Sequence, residues 1–215
     1  MKEKKLAMLQ DPRCFEMNRM KPVSDHRWYE TKEEAMSQKS MKLRYSLNGV
    51  WKFMWVPNPI SVPVGFEKTE FSCQGWTEIP VPAQMELSGY GRPQYTDTSY
   101  PWDGRENVAP HNVPVEENPT GCYVKYFSVP EHFQGKRVQL HFEGVETAFH
   151  CWINGTYIGY SEDSYTPAVF DVTDALQEGM ELKKLYDEDP EVKRLVDMAK
   201  AIEGIKNNTG THAAG

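Results

Sequence analysis

The stretch TAFHCWINGTYIGYSED, residues 147–163, sets two strand-like runs on either side of Asn154-Gly155. Both central positions of a two-residue hairpin turn need positive φ, and Asn followed by Gly supplies it at least cost. The spacing predicts two antiparallel strands joined there. Upstream, GCYVKYFSV (121–129) and KRVQLHFEG (136–144) have the same character, the second with Val138, Leu140 and Phe142 alternating inward. LRYSLNGVWKFMWV (43–56) has a turn at Asn48-Gly49 and then Trp51, Phe53 and Trp55 at period two, predicting a half-buried strand with an aromatic inner face. Downstream, AVFDVTDAL (168–176) closes the series. At least five short strands, separated by Pro/Gly turns and no long helix, predict an all-β antiparallel β-sandwich.

On either side of residue 177 the composition differs. Every aromatic residue except Tyr186 lies at or before Phe170, and the text beyond Leu176 is rich in charge and helix formers. The chain divides into an irregular leader (1–40), which packs on the sandwich and carries a helix-prone KEEAMSQ, a sandwich (41–178), and a helical tail (179–215). In the tail Asp189 suits the N-cap and Pro190 the first helical position. Val192, Leu195, Val196, Ala199 and Ile202 form an apolar stripe, and Gly204 suits the C-cap.

Charge and spacing exclude several functions. A net charge of −7 without a Lys/Arg cluster disfavours nucleic acid as a partner. No apolar run is long enough for a membrane span, and none follows the basic start as a secretory signal would require, so the expected compartment is cytoplasmic. Cys14, Cys73, Cys122 and Cys151 lie far apart and are expected to be reduced thiols. His26, His111, His132, His141 and His150 lack the spacing of metal ligands, and no G-x-S-x-G, Walker or G-x-G-x-x-G motif occurs.

One segment resists any regular element. GRPQYTDTSYPWDG, residues 91–104, combines two prolines and two glycines with Tyr95, Tyr100, Trp102, Asp97 and Asp103. An acidic, aromatic loop suits a polar ligand with a flat apolar face, such as a sugar. The same residues also serve as loop anchors and Asx turn formers. Likewise Glu162 and Asp163 are compatible with simply solvating the end of the hairpin.

Residues 11–178 resemble the N-terminal sugar-binding domain of glycoside hydrolase family 2 β-galactosidases. The resemblance runs through MNRMKPVSDHRWYETKEEA, SLNGVWKFMW, GWTEIPVPAQMELSGYGRPQYTDTSYPWDG, ENPTGCYVKYFSVP and FEGVETAFHCWINGTYIGYSEDSYTPAVFDVTDAL. It implies a jelly-roll, galactose-binding-like sandwich beside a catalytic barrel, with Asp97 at the position that contacts the galactosyl group, where the family usually has Asn. Tyr95, Tyr100 and Trp102 would hold that loop near the subsite. It further implies Mg2+ and Na+ in the intact enzyme, with Asp11, the Cys14 carbonyl and Glu162 as magnesium donors. Tight binding of either ion by this chain alone is not expected.

The two catalytic glutamates of the family lie on barrel strands, and no eight-fold βα pattern occurs here. The sandwich is expected to be truncated, lacking a further strand because the text diverges at Met180, and the chain alone is expected to be inactive. ELKKLYDEDPEVKRLVDMAKAIEGIKNNTGTHAAG (181–215) resembles a piece of the bacterial DNA polymerase III α subunit, with Asn207-Asn208 where many relatives have an Arg/His pair. Expected partners are a β-galactoside and the missing C-terminal part of the enzyme. The alternatives are a stand-alone carbohydrate-binding module, a complementation fragment, and a polymerase fragment.

Overall fold

The computed structural model describes residues 2–23, 27–37, 41–93, 100, 102–110, 112–177, 188–191, 193 and 194. The chain forms two compact units, residues 1–172 and 173–215.

The first unit is an assembly of antiparallel sheets. Strands β1 (Glu16–Met17), β6 (Ala148–Ile153) and β7 (Thr156–Glu162) form one sheet in the order β1-β7-β6. A second places β2 (Gly49–Val56) between β3 (Thr77–Val81) and β4 (Thr120–Val124). Strands β5 (Gln139–Phe142) and β8 (Ala168–Asp171) make a third. The β6–β7 turn forms at Asn154 (φ 50°) and Gly155 (φ 81°), the two positive-φ positions that the sequence signalled. A bulge between Cys151 and Trp152 shifts the register, and Trp152 then pairs with Tyr157.

Two sheets face each other through phenylalanines. Phe149 of β6 meets Phe142 of β5 and Phe170 of β8 at centroid separations of 4.8 and 6.1 Å. Phe170 is fully buried. Gly159 of β7 permits this approach, because a Cβ there would lie 2.5 Å from both the Met17 carbonyl and the Phe170 ring. In the β2 sheet, fully buried Phe53 packs against Tyr90 and Tyr123. The opposite face of β2 is also covered: Met54 and Val56 join Cys122, Val124, Trp76, Phe66 and Phe71 in a second apolar cluster. The aromatic face is therefore one of two inner faces, a correction to the half-buried reading of this strand.

Several elements differ from expectation. The strand expected over 43–56 begins at Gly49, and those expected over 121–129 and 136–144 shorten to β4 and β5. AVFDVTDAL splits into β8 and a helical turn at residues 173–177. The sequence reading missed β3, whose Pro80 argues against a strand. Thr77–Val81 has β2 on one side only, and an edge tolerates Pro.

The leader is more regular than expected. Helix α1 (Lys2–Gln10) forms from Lys, Glu, Leu, Ala, Met and Gln, all good helix formers. Helix α2 (Lys32–Met36) is capped by Thr31, whose hydroxyl accepts from Glu34 N–H. Between them the chain adds β1 to the edge of β7. Asn18 then donates to the Ile158 carbonyl, Arg19 to the Pro167 carbonyl, and Met20 N–H to the Val169 carbonyl. The leader is thus stitched to both β7 and β8. In the second unit, Asp189 accepts from Glu191 N–H at 2.8 Å, the N-cap role that the sequence indicated. The apolar stripe and Gly204 lie outside the described side chains.

Candidate functional site

Residues 94–99 lie outside the described residues, and Tyr95 and Asp97 with them. The two ends of their segment are described. At the entry, Gly91 takes φ 70°, and a Cβ there would come within 3.2 Å of the Trp55 indole nitrogen. At the exit, Tyr100 and Trp102 stack with centroids 4.9 Å apart and planes 7° from parallel. Tyr100 is largely exposed. Asp103 is a turn former, as one of its two readings held: its carboxylate accepts from Tyr100 N–H at 2.9 Å.

Four charged residues that sequence reasoning passed over fasten this segment. The Glu106 carboxylate accepts from three successive backbone N–H groups, Val115 at 2.7 Å, Glu116 at 3.0 Å and Glu117 at 3.2 Å. The Val115 bond foremost, and those of Glu117 and Glu116 after it, hold the Glu106 carboxyl below the usual range. One Glu117 oxygen in turn meets Arg92 at 3.3 Å and Arg105 at 2.8 Å. The only hint in the sequence was an Arg at each end of a loop and a Glu pair beyond it, a pattern with no periodicity to flag it.

The second site proposed from sequence lies where β1 joins β7. Glu162 N–H donates to the Phe15 carbonyl at 2.9 Å, which brings the 11–17 segment alongside the end of β7. The Asp11 carboxylate is engaged by Arg13, whose Nε and second guanidinium nitrogen lie 2.9 and 3.0 Å from its two oxygens. That pairing depresses the Asp11 carboxyl. Glu162 accepts from the Tyr160 hydroxyl. Burial, reinforced by the Glu162 hydrogen bond, drives the Tyr160 phenol upward. Tyr157 is pushed up to about 12 by burial, and its hydroxyl lies 3.1 Å from His150 Nδ1.

Asp11 and Glu162 are hard oxygen donors of the right kind for magnesium. As arranged, however, both Asp11 oxygens are turned to a cation, and no group of three or more His, Cys, Asp or Glu converges among the described residues. The residues present do not by themselves make a magnesium shell. Asp163, at φ 87°, is held below its usual range first by Thr166 and also by Tyr165 N–H, and so forms a turn. All four cysteines are free, and burial pushes the Cys151 thiol up to about 12. No helix among the described residues is long and apolar enough to cross a membrane.

The described residues form antiparallel sheets with an aromatic stack, Tyr100 on Trp102, beside a segment fastened by carboxylates. Residues 44–185 match the family described as "Glycosyl hydrolases family 2, sugar binding domain", and the chain belongs to that family. The chain is 47% identical over 174 residues to a beta-galactosidase of Halalkalibacterium halodurans, covering 81% of this chain and 17% of that protein. A beta-galactosidase of Streptococcus thermophilus is 44% identical over 179 residues, 83% of this chain and 17% of its own length. The chain therefore spans about a sixth of the length of these relatives. A beta-glycosidase structure from Bacteroides vulgatus aligns at 22% identity and a TM-score of 0.40, over 59% of this chain and 14% of its own.

A second family, described as "Bacterial DNA polymerase III alpha NTPase domain", matches residues 160–215. The two matches overlap over 160–185. Strands β7 and β8 pair with β6 and β5, so residues 160–171 are part of the sandwich.

Proposed function

We propose that this chain is the N-terminal sugar-binding domain of a β-galactosidase, supplying a substrate-subsite loop to a catalytic barrel that residues 1–215 do not contain. One observation carries the reading. The similarity to proteins named beta-galactosidase extends over four-fifths of this chain at 40–47% identity, yet occupies 16–19% of theirs. In this reading Asp97 accepts hydrogen bonds from galactosyl hydroxyls, with Tyr95, Tyr100 and Trp102 fixing the loop beside it. The chain's partners are the β-galactoside and the C-terminal remainder of the enzyme, and its compartment is the cytoplasm.

Asp11, the Cys14 carbonyl and Glu162 would hold magnesium only together with donors from outside residues 1–215, and Arg13 here engages both Asp11 oxygens. Sodium has no donor assigned on this chain. The polymerase-like tail is an unrelated fragment joined near residues 177–182, through gene fusion or mis-assembled sequence, and no polymerase chemistry is expected of it. The purified chain should release no nitrophenol from a nitrophenyl β-galactoside above a matched blank; steady release refutes the reading.

A second reading, a module that binds carbohydrate alone or docks onto the rest of the enzyme, is favoured by one observation. Phe53, Tyr160 and Phe170 are fully buried within residues 1–172, so the sandwich encloses its own core. Calorimetry with galactose and co-purification with a C-terminal fragment separate the two forms of this reading.

A further inference from the structure

We infer that two arginines of the leader, Arg13 and Arg19, are built-in counter-cations for the acidic end of β7, and that Arg13 keeps the Asp11 carboxylate closed to a divalent ion. Removing Arg13 alone then opens a cation site. The inference stands apart from the sugar-binding reading above.

Four carboxylates flank the junction of the leader with β7: Asp11 and Glu16 on the leader, Glu162 and Asp163 at the strand end. Like charges left unopposed there would work against docking. Each carboxylate is served from within the chain. One Asp11 oxygen accepts from Arg13 N–H at 3.1 Å and Arg13 Nε at 2.9 Å, and the other from Arg13 Nη2 at 3.0 Å. The Asp11 carbonyl also accepts from Cys14 N–H at 2.8 Å, so a single turn fixes both the carboxylate and its cation. Glu162 accepts from the Tyr160 hydroxyl, and Asp163 from Tyr165 N–H at 3.0 Å. Glu16 is opposed by Arg19, whose Nη1 lies 3.7 Å from its carboxylate.

The two arginines differ in burial, and burial assigns their parts. The Arg19 side chain is only 5% exposed, and a guanidinium does not shed its proton to suit a buried position. Opposite charge and a carbonyl hold it: Glu16, and the Pro167 carbonyl at 3.1 Å, with Asp163 also within its field. Just before it, Asn18 at φ 58° carries the leader from β7 to β8. Arg19 therefore fastens the leader. The Arg13 side chain is 88% exposed, so its pairing with Asp11 is weak and exchangeable. It nevertheless fills both oxygens of a hard donor, and a divalent ion must compete with that fork.

Paramagnetic broadening by Mn2+ in NMR spectra of the full chain tests the Arg13 half. Arg13→Gln should broaden the Asp11 and Cys14 amide signals at about threefold less Mn2+ than wild type, the scale of an exposed ion pair. Excess Mg2+ should reverse the broadening, and adding Asp11→Asn should abolish the gain. Equal Mn2+ dependence in wild type and Arg13→Gln, or a gain that survives Asp11→Asn, overturns this half.

Hydrogen exchange tests the Arg19 half. Glu162 N–H, bound to the Phe15 carbonyl, and Met20 N–H, bound to the Val169 carbonyl, report on leader docking. In wild type both should exchange equally in EDTA and in magnesium. Arg19→Gln should speed both about tenfold, the scale of a lost charged hydrogen bond, and Arg19→Lys, which keeps the charge, should fall between. Faster wild-type exchange in EDTA, unchanged exchange in Arg19→Gln, or Arg19→Lys as fast as Arg19→Gln overturns the counter-cation role. Should Arg19→Gln fail to fold, the EDTA comparison and the exposed Arg13 variants decide.

Discussion

The β6–β7 hairpin and the 91–106 segment lie in the same unit and are held by opposite means. The hairpin is held by backbone pairing, by a turn that Asn-Gly suits, and by the fully buried Tyr160 ring. The described residues of the 91–106 segment join no ladder. Its ends depend on a Gly91 contact with Trp55, a partly exposed aromatic stack, and carboxylates meeting amides and guanidinium groups. The hairpin resists change because burial is cooperative. The described ends of the segment are held by polar contacts, with little of them committed to the core.

Breaking the first region should have the largest effect. Phe170→Ala removes a fully buried ring that meets Phe142 and Phe149, and should cost about 3–5 kcal/mol in denaturant unfolding. Gly159→Ala pushes a methyl against the Met17 carbonyl and Phe170, and should cost about 1–3 kcal/mol by the same assay, with β1 loosened first. Gly155→Ala, at φ 81°, should cost about 1–2 kcal/mol and speed exchange across the hairpin.

Raising the pH sharpens the contrast. Tyr157 ionises in the fold only near 12, against about 10 in an unfolded chain. The neutral phenol is the form the fold favours. The stability it contributes is therefore complete below pH ~10 and is lost as pH rises through the folded value. Alkaline melting should track phenolate absorbance, with Tyr160 shifted in the same direction. Tyr157→Phe should blunt the effect. The smallest effect belongs to the loop: Arg92→Gln should change unfolding by ~0.5 kcal/mol or less while altering the Trp102 signal.

What the sequence revealed follows the same division. The Asn154-Gly155 turn, Phe142 alternating inward and Phe53 on the aromatic face were legible because strands and turns repeat local rules. The strand at Thr77–Val81 was not legible, since an edge position excuses the proline that argued against it. The second inner face of β2 escaped notice because Met54 and Val56 are covered by Phe66, Phe71 and Trp76, which the chain brings back from beyond the strand. Glu106 and Glu117 were invisible for a related reason: a carboxylate that finds three amides nine to eleven residues away leaves no period in the text. Asp11 was legible as an oxygen donor, but its pairing with Arg13 depends on side-chain geometry that spacing does not fix.

The account depends most on residues 1–172 closing into a sandwich whose leader strand seals β7 and β8. Hydrogen exchange of the purified chain, read at Tyr160, Ser161 and Val169, tests it most directly. The account predicts slow exchange at all three positions, lost together with the melting of the Phe170 ring signals. Exchange complete within the dead time at those amides would contradict it.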